Sequence, residues 1–539
     1  MKKRYWLIFW VIFWVMLISF TIILSGCGSG IYLKSGQNRY TVEEAKVNLK
    51  KLTSRIKDVK YVNTDIADIG LDAFVAADIA TLLPDFELIH EPVVQEPPGS
   101  RYITVFSSTE KATDNATDRW LIDMANEFNR TNGQDFGIRL YGVASGMAYD
   151  YIRSGKYVPD LFTPSSRLWG DGIGLTPYEE RLVGNVAGIV TKKNNPKTLE
   201  QLINAVMNEG FKFGYTNPNS STTGYNFLRS YLEIKGADTF EEFQRKIPFV
   251  AYTTGQMRDA TLRGVLDGFV YEAQVFESGS REIKNDYVFT PFGARHDNPV
   301  YILNEGNRDI CEAFTRFCLT DQAQRSATSL GFNRYNDYRG LDLDGSTIEE
   351  DRILFKEKKS GGQNIASVFV CDISGSMQGS PILQLKTSLL ECAKHISESN
   401  SIGMVTYSTN VNVVLPIARY DVEQRAKLIN VVENMYPSGS TATNDAISIA
   451  LQMLCDYQET NPNTRLNVFV LTDGDTNLGL SFDTCKDVWQ SLQIPIYAIG
   501  YNNATGDLSS IAGLTEAAKI DVTEQNVLYV LANFFRAQM

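Results

Sequence analysis

A nearly continuous apolar run, Ile365–Cys371, constrains the fold of this 539-residue chain more than any other stretch. A strand that is apolar at almost every position, rather than at alternate ones, is typical of a sheet covered by helices on both faces. The run Leu466–Leu471 repeats the pattern with Asn467 as its one polar interruption, and segments with helical spacing lie between the two runs. The pattern predicts a doubly wound α/β sheet, in which ligands bind beyond the carboxyl ends of the strands.

Side chains with oxygen donors directly follow both runs. Asp372, Ser374 and Ser376 alternate after the first run, Asp473 follows the second, and Thr441 stands before a helix between them. Carboxylate and hydroxyl oxygens are hard ligands that suit Mg²⁺ rather than zinc. We expect these five residues to hold Mg²⁺ or another divalent cation. In the alternative interpretation, Asp372 and Ser374 only form a turn and cap a helix.

The three pieces, Asp-x-Ser-x-Ser, Gly-x-Thr and Thr-Asp-Gly, stand in the order of the von Willebrand factor A pattern. Residues 361–539 therefore resemble a von Willebrand factor A domain with a Rossmann-like fold. The resemblance implies that the same five residues form a metal-ion-dependent adhesion site. In this family the metal leaves one coordination position open for an Asp or Glu of the ligand. The resemblance thus implies a protein partner that offers a carboxylate.

A second region of alternating strand and helix patterns extends from Tyr102 to about Phe332, and the alternation predicts a parallel α/β sheet. Residues 99–340 resemble a type II periplasmic solute-binding protein, in which two α/β lobes close on a small solute. The stretches that carry the resemblance are Val105-Phe-Ser-Ser-Thr109, Ser154-Gly-Lys-Tyr-Val-Pro159-Asp160, Thr216-Asn-Pro-Asn-Ser220-Ser-Thr-Thr-Gly224 and Gly264-Val-Leu-Asp267-Gly-Phe-Val-Tyr271-Glu272. The resemblance implies recognition of a small solute or a peptide.

Hydroxyl groups cluster at two predicted strand-to-helix turns of this region. Hydroxyls and free N–H groups at the start of a helix can bind an anion. The same residues also serve as ordinary helix caps, and the sequence favours neither interpretation. Tyr271 and Glu272 either line the hinge side of the cleft or end a strand. The candidate ligand-binding residues are Ser107, Ser108, Thr109, Ser220, Ser221, Thr222, Thr223, Tyr271 and Glu272.

The N-terminus has the features of an export signal. A basic start, Met1–Arg4, precedes the uncharged stretch Tyr5–Leu24. Leu24-Ser-Gly-Cys27 resembles the lipobox of bacterial lipoproteins, which implies a lipid anchor on Cys27. The alternative is a signal anchor, because about 20 mostly apolar residues reach about 30 Å and can cross a bilayer. Both interpretations place the rest of the chain outside the cytoplasm, at the membrane.

Other features exclude several classes of site. The net charge of −12 argues against nucleic acid as a partner. Three scattered histidines without an H-E-x-x-H motif, and seven cysteines without a C-x-x-C pair, argue against zinc sites. Apart from Cys27, we interpret the cysteines as small buried hydrophobic residues. The predicted organisation is a lipoprotein signal peptide at 1–27, a tether and lead-in at 28–98, the solute-binding-like domain at 99–340, a linker at 341–360 and the A domain at 361–539.

These features predict a membrane-anchored, extracytoplasmic binding protein rather than an enzyme, at the cell surface or in the periplasm. The A domain is expected to bind a partner's Asp or Glu through the metal, and the middle domain a small solute or peptide. The alternative is the solute-binding subunit of a membrane transporter. A metal-dependent hydrolase would need a general base near the ion, and the sequence offers only Asp475 there.

Overall fold

The computed structural model describes residues 38–67, 79–132, 136–248, 250–251, 254–279, 281–474, 476–501, 507–515, 519–522 and 526–539. Cys27 and Asp475 lie outside these described residues. Within the described ranges, no helix combines the length and the apolar character needed to cross a membrane. The six cysteines of the described part, Cys311, Cys318, Cys371, Cys392, Cys455 and Cys485, are free and buried.

The segment predicted as a tether over 28–98 contains folded elements. These are α1 (Val42–Thr53), β1 (Lys60–Tyr61) and α2 (Phe86–Ile89). A capping box between Thr41 and Glu44 begins α1. Its buried residues Ala45, Leu49 and Leu52 form one apolar stripe, which packs with residues of the C-terminal domain in a single hydrophobic cluster. Within the predicted tether and lead-in, residues 42–61 therefore pack onto the C-terminal domain.

The middle domain consists of two lobes, each built around its own sheet. Its elements in chain order are β2 (Arg101–Ser107), α3 (Trp120–Asn132), β3 (Phe136–Gly142), α4 (Ser145–Ser154), β4 (Leu161–Thr163), α5 (Arg167–Asp171), β5 (Val186–Lys192), α6 (Leu199–Asn208), β6 (Phe213–Thr216), α7 (Thr222–Lys235), α8 (Phe240–Lys246), β7 (Val250–Ala251), α9 (Thr254–Leu262), β8 (Gly268–Glu272), α10 (Ala273–Ser278), α11 (Arg281–Asp286), β9 (Tyr287–Arg295), β10 (Tyr301–Ile302), α12 (Arg308–Cys318) and α13 (Asp321–Ser329).

The strand orders are β10-β4-β2-β3 in the first lobe and β7-β6-β8-β5-β9 in the second. β2 pairs in parallel with β3 and β4, as the alternation predicts. However, β5 pairs antiparallel with β8 and β9, so the second sheet is mixed rather than parallel. In both sheets, candidate site residues stand at the carboxyl ends of the central strands.

The segment predicted as a linker over 341–360 is mostly helical. It contains α14 (Ile348–Lys358). Phe355 of this helix is fully buried in the apolar cluster of the second lobe, and Ile348 packs in another cluster with Trp169 of the first lobe. The helix therefore joins the packed core instead of acting as a free spacer.

The C-terminal domain has one sheet with the order β1-β13-β12-β11-β14-β15-β16. Its own elements are β11 (Asn364–Asp372), α15 (Ser380–Cys392), β12 (Ser401–Tyr407), β13 (Val411–Arg419), α16 (Val422–Glu433), α17 (Thr443–Thr460), β14 (Thr464–Thr472), α18 (Phe482–Leu492), β15 (Ile496–Tyr501), α19 (Asp507–Gly513), β16 (Lys519–Val522) and α20 (Val527–Gln538).

All neighbouring strands of this sheet are parallel except β12 and β13. Alternate residues of β11 pack into two different apolar clusters, Phe369 on one face and Val370 on the other. The helices cover both faces, which confirms the interpretation of the apolar runs. The first strand, β1, adds to the edge by pairing in parallel with β13.

Candidate functional site

The predicted metal residues meet at one edge of the C-terminal sheet because β11 and β14 are parallel neighbours in register. Cys371 pairs with Leu471, so Asp372 and Asp473, which are offset by one position, leave the sheet at neighbouring strand ends. Thr441 lies in a third loop, which is attached to the first by the N–H of Gly375 donating to the carbonyl of Gly439 at 3.0 Å. The structure thus brings together all five residues that the sequence singled out on three neighbouring loops.

Hydrogen bonds orient the oxygens of this edge. The N–H of Ser374 and the hydroxyl of Thr472 donate to the two carboxylate oxygens of Asp372, at 2.7 and 2.6 Å. The Oγ atoms of Ser374 and Ser376 lie 3.0 Å apart, and the Ser376 hydroxyl donates to Asp473 Oδ1 at 2.9 Å. The sequence did not single out Thr472, although its place in Thr-Asp-Gly could have indicated a supporting role.

Thr441 is held by residues that follow Asp473 in the chain. Its N–H donates to Asn477 Oδ1 at 2.9 Å, and its carbonyl accepts from the N–H groups of Asn477 and Leu478. Asn477 is therefore a further residue that shapes the site, and no motif in the sequence pointed to it.

The spacing of these oxygens fits a small divalent cation. In an octahedral Mg²⁺ shell with bonds of about 2.1 Å, adjacent ligands lie about 2.9 Å apart. The separations of 3.0 Å and 2.9 Å along Ser374, Ser376 and Asp473 match that edge. Across the described ranges, no group of three or more His, Cys, Asp and Glu side chains could hold a metal. A cation here would instead depend on two carboxylates supplemented by hydroxyls.

The two neighbouring carboxylates at this edge, Asp372 and Asp473, favour a bound cation. Burial raises the pKa of Asp372, and the neighbouring Asp473 carboxylate raises it further, against hydrogen bonds from Thr472 and Ser374 that lower it. Asp372 is fully buried, whereas Ser376 is exposed. A divalent ion would neutralise the buried carboxylate while remaining accessible from the Ser376 side.

In the first lobe, the predicted cleft residues do not begin a helix. Ser107 ends β2, but α3 begins only at Trp120, after a long turn. The Ser107 hydroxyl donates to the carbonyl of Ser108, and Thr109 is exposed. These three residues therefore do not lie at a helix start, as either interpretation required, because the helix begins further along the chain.

A buried lysine that the sequence did not single out occupies this turn. Lys111 is fully buried, and its Nζ donates to Ser108 Oγ, to the carbonyl of Thr163 at 2.8 Å and to Asn298 Oδ1 at 2.8 Å. Burial lowers the pKa of Lys111 to about 8, although the carboxylate of Glu110 opposes the shift. Burial also raises the pKa of Glu110. Lysine within a polar turn gives no sequence signal of burial.

In the second lobe, the hydroxyl cluster has several roles. Ser221 is an ordinary cap of α7, since its side chain accepts from the N–H of Gly224 at 3.3 Å. Thr222 contacts the first lobe, where its Oγ1 lies 2.5 Å from Ser165 Oγ and accepts from Trp169 Nε1 at 2.9 Å. Ser220, which precedes the cap, lies in the same loop at the contact between the lobes.

Glu272 is the centre of a buried polar cluster. Its carboxylate accepts from the Thr223 hydroxyl at 2.8 Å and from Asn185 Nδ2 at 3.0 Å, and it lies 2.8 Å from His296 Nδ1. Tyr271 points to the opposite face of β8, where it belongs to an apolar cluster. The structure therefore joins Thr223 and Glu272 and separates Tyr271 from them.

Asn219 is a further candidate residue for solute binding, which no motif in the sequence pointed to. Its side chain is buried with 7% exposure, and neither its Oδ1 nor its Nδ2 has a hydrogen-bond partner. Its carbonyl lies so close to Gly146, near the start of α4, that a Cβ there would approach it to 2.9 Å. Buried amide groups are normally paired, so this one is a candidate contact for a bound solute.

Comparison with known families agrees with the two-domain architecture. The family described as bacterial extracellular solute-binding protein matches residues 112–333, and the von Willebrand factor type A domain family matches 368–535. The chain therefore carries a solute-binding domain followed by a von Willebrand factor A domain. Both kinds of domain are generally non-enzymatic, and A domains commonly bind a divalent metal at this site.

Individual relatives each resemble one domain only. Inter-alpha-trypsin inhibitor heavy chain H3 from Bos taurus is 27% identical over 147 residues, which are 25% of this chain and 16% of that protein. A sulfate-binding protein from Synechococcus elongatus is 24% identical over 171 residues, which are 29% of this chain and 49% of that protein. The chain thus spans less than half of the length of these relatives.

Solved structures resemble the two domains separately. Iron-bound HitA from Pseudomonas aeruginosa is 13% identical with a TM-score of 0.38, over 49% of this chain and 99% of that one. A von Willebrand factor type A structure from Catenulispora acidiphila is 20% identical with a TM-score of 0.29, over 32% of this chain and 41% of that one.

Proposed function

We propose that this protein is a membrane-anchored, extracytoplasmic recognition protein. Its A domain holds Mg²⁺ or a similar divalent cation at Asp372, Ser374, Ser376, Thr441 and Asp473, and through the ion binds an Asp or Glu of a protein partner. Its solute-binding domain recognises a small solute or a peptide. The observation that carries the proposal is the placement of the carboxylates of Asp372 and Asp473 and the hydroxyls of Ser374 and Ser376 within hydrogen-bonding distance along one edge of the A-domain sheet.

In this proposal the ion supplies the positive charge that grips the partner's carboxylate. The chain's own residues orient it. Thr472 and the N–H of Ser374 fix the buried Asp372, while the exposed Ser376 lies at the accessible side of the site. Hydroxyl ligands carry no charge, so they leave the ion attractive to an incoming carboxylate.

Calorimetric titration of Mg²⁺ into the full-length chain tests the metal site. The full chain is needed because α1 and β1 complete the A domain from outside 361–539. We expect saturable binding in the wild type, loss of binding in Asp372→Ala, and unchanged binding in the control Asp483→Asn, an exposed carboxylate on α18. A folded wild-type protein without measurable Mg²⁺ binding would refute the metal-dependent part of the proposal.

Localisation has its own test. The family match is to extracellular proteins, and the lipobox-like sequence places a lipid on Cys27 in this proposal. A Cys27→Ala variant is expected to lose the labelled fatty acid that the wild type incorporates, although its uncleaved stretch Tyr5–Leu24 can still hold it at the membrane. A wild type that incorporates no label, or a variant that incorporates as much as the wild type, would mean that the anchor is not a lipid on this cysteine.

A second candidate function is the solute-binding subunit of a membrane transporter. The match over 112–333 and the partial similarity to a sulfate-binding protein favour it. Titration with sulfate, and a thermal-shift screen of small anions, amines and peptides, distinguishes a solute-selective domain from one without a solute. Saturable solute binding that persists in Asp372→Ala, together with a permease encoded beside the gene, would favour the transport role.

A further inference from the structure

Arg352 connects the two lobes of the solute-binding domain from outside it. It lies on α14, between the two family matches at 112–333 and 368–535. Its side chain is buried, with Nη1 donating to Asp150 Oδ1 at 3.0 Å and Nη2 donating to the carbonyl of Asn219 at 3.0 Å. Asp150 is on α4 of the first lobe, and Asn219 is in the loop before α7 of the second. One guanidinium therefore bonds both lobes.

The A domain reaches the same carboxylate. The hydroxyl of Tyr529, on α20, donates to Asp150 Oδ2 at 2.7 Å, and both side chains are buried. The guanidinium of Arg352 also lies over the rings of Tyr149 and Trp169, 5.0 and 5.8 Å from their centroids. Both lobes, the joining helix and the last helix of the A domain thus meet at one buried ion pair.

The groups that Arg352 holds border the candidate solute site. Asn219, with its unpartnered side chain, directly precedes the hydroxyl cluster of the second lobe. Asp150 lies on α4, whose first residue Ser145 contacts Ser165, and Ser165 in turn contacts Thr222 across the lobes. The guanidinium of Arg352 therefore lies next to the residues through which the two lobes contact each other.

We infer that Arg352 is a positioning residue of the solute cleft and that it links closure of the two lobes to docking of the A domain through Asp150 and Tyr529. The inference rests on the proposed solute-binding function. Separating the lobes must break the bond of Arg352 to Asp150 or to Asn219, and a buried guanidinium that loses a partner is costly. Linkage is reciprocal, so a solute that closes the lobes also favours the docked A domain.

Hydrogen–deuterium exchange of the full-length chain, read by mass spectrometry, tests the linkage without a known solute. The decisive variant is Tyr529→Phe, which removes one hydroxyl from the A domain. The matched control is Tyr420→Phe, whose buried hydroxyl donates to the carbonyl of Ala393 within the A domain at 3.3 Å. Arg352→Met and Arg352→Lys complete the series, since lysine keeps the charge without the two-pronged geometry.

The readout is the peptide spanning 213–224 in the second lobe, which hydrogen bonds connect to Tyr529 through Asp150 and Arg352. We expect exchange there to rise roughly fivefold in Tyr529→Phe. The rise should be larger in Arg352→Met, intermediate in Arg352→Lys, and absent in Tyr420→Phe.

Unchanged exchange at 213–224 in Tyr529→Phe, with faster exchange confined to the A domain and α4, would overturn the linkage. This result would leave the solute-binding proposal untouched, because no solute is added. The exchange experiment can also show the linkage in a protein that binds none of the screened solutes. In that case Arg352 has no solute cleft to position, and this part of the inference is overturned.

Discussion

At the candidate metal edge of the A domain, Ser376 Oγ lies 3.0 Å from Ser374 Oγ and 2.9 Å from Asp473 Oδ1, beside the buried carboxylate of Asp372. In the solute-binding domain, by contrast, the buried carboxylate of Glu272 receives donors from Asn185 and Thr223 and has His296 beside it. Burial and the neighbouring Asp473 raise the pKa of Asp372, because two adjacent carboxylates repel one another unless a cation lies between them, whereas a carboxylate surrounded by donors stabilises the fold as it stands. Polar residues that were predicted by the same reasoning therefore form two kinds of site. The carboxylates of one favour a bound cation, whereas the carboxylate of the other is already paired with donors of the chain.

The largest expected effect concerns the buried polar cluster around Lys111. Lys111→Met should lower the free energy of unfolding by about 4 kcal/mol, because it leaves Asn298 Oδ1 without its buried donor and Glu110 without the opposite charge 4.0 Å away. Chemical denaturation measures the change, with the exposed Lys193→Met as the control. A decrease in the free energy of unfolding of less than about 1 kcal/mol would mean that the buried contacts of Lys111 do not stabilise the fold.

The pH dependence of stability tests the burial of Lys111 independently. Burial lowers the pKa of Lys111 to about 8, below that of an unfolded lysine near 10.5, so the folded protein binds fewer protons in that window. The free energy of unfolding of the wild type relative to Lys111→Met should therefore rise by about 2 kcal/mol between pH 8 and pH 10.5. Denaturation curves of both proteins across this range give the difference. A difference that stays flat or falls contradicts the lowered pKa.

The smallest expected effects come from neutralising one carboxylate in each region without changing its shape. Glu272→Gln should destabilise the protein by about 2 kcal/mol, because its new amide NH₂ meets donors from Asn185 or Thr223. Without metal, Asp473→Asn should stabilise the protein by about 1 kcal/mol, since it removes the charge beside the buried Asp372 while its amide oxygen still accepts from the Ser376 hydroxyl. Thermal unfolding of both variants and of the wild type in the presence of a chelator measures the two changes in stability. Equal signs for the two variants would break the contrast between the regions.

Much of the A domain was predictable from the sequence. Apolar runs at almost every position identify strands that are covered on both faces, and parallel neighbours bring their carboxyl ends together. The alternation of Asp372, Ser374 and Ser376 after one such strand therefore placed three donors within a short turn. In the middle domain the same reasoning located strand ends correctly, including Tyr271 and Glu272 at the end of β8, but misplaced the helix after Ser107 and left open which face Tyr271 occupies. A turn of uncertain length shifts every later position, and a strand end alone does not tell which face a side chain occupies.

The sequence by itself determined the two α/β domains and the five candidate metal residues on neighbouring loops of one domain, because local periodicity and short motifs carry that information. Only the tertiary structure decided that α1 and β1, from the predicted tether, complete the A domain, and that Lys111 is buried. It also decided that Arg352 meets Asp150 and Tyr529. Asp150 and Tyr529 stand 379 positions apart in the chain, and contacts over such separations are set by how whole domains pack, which no local pattern encodes.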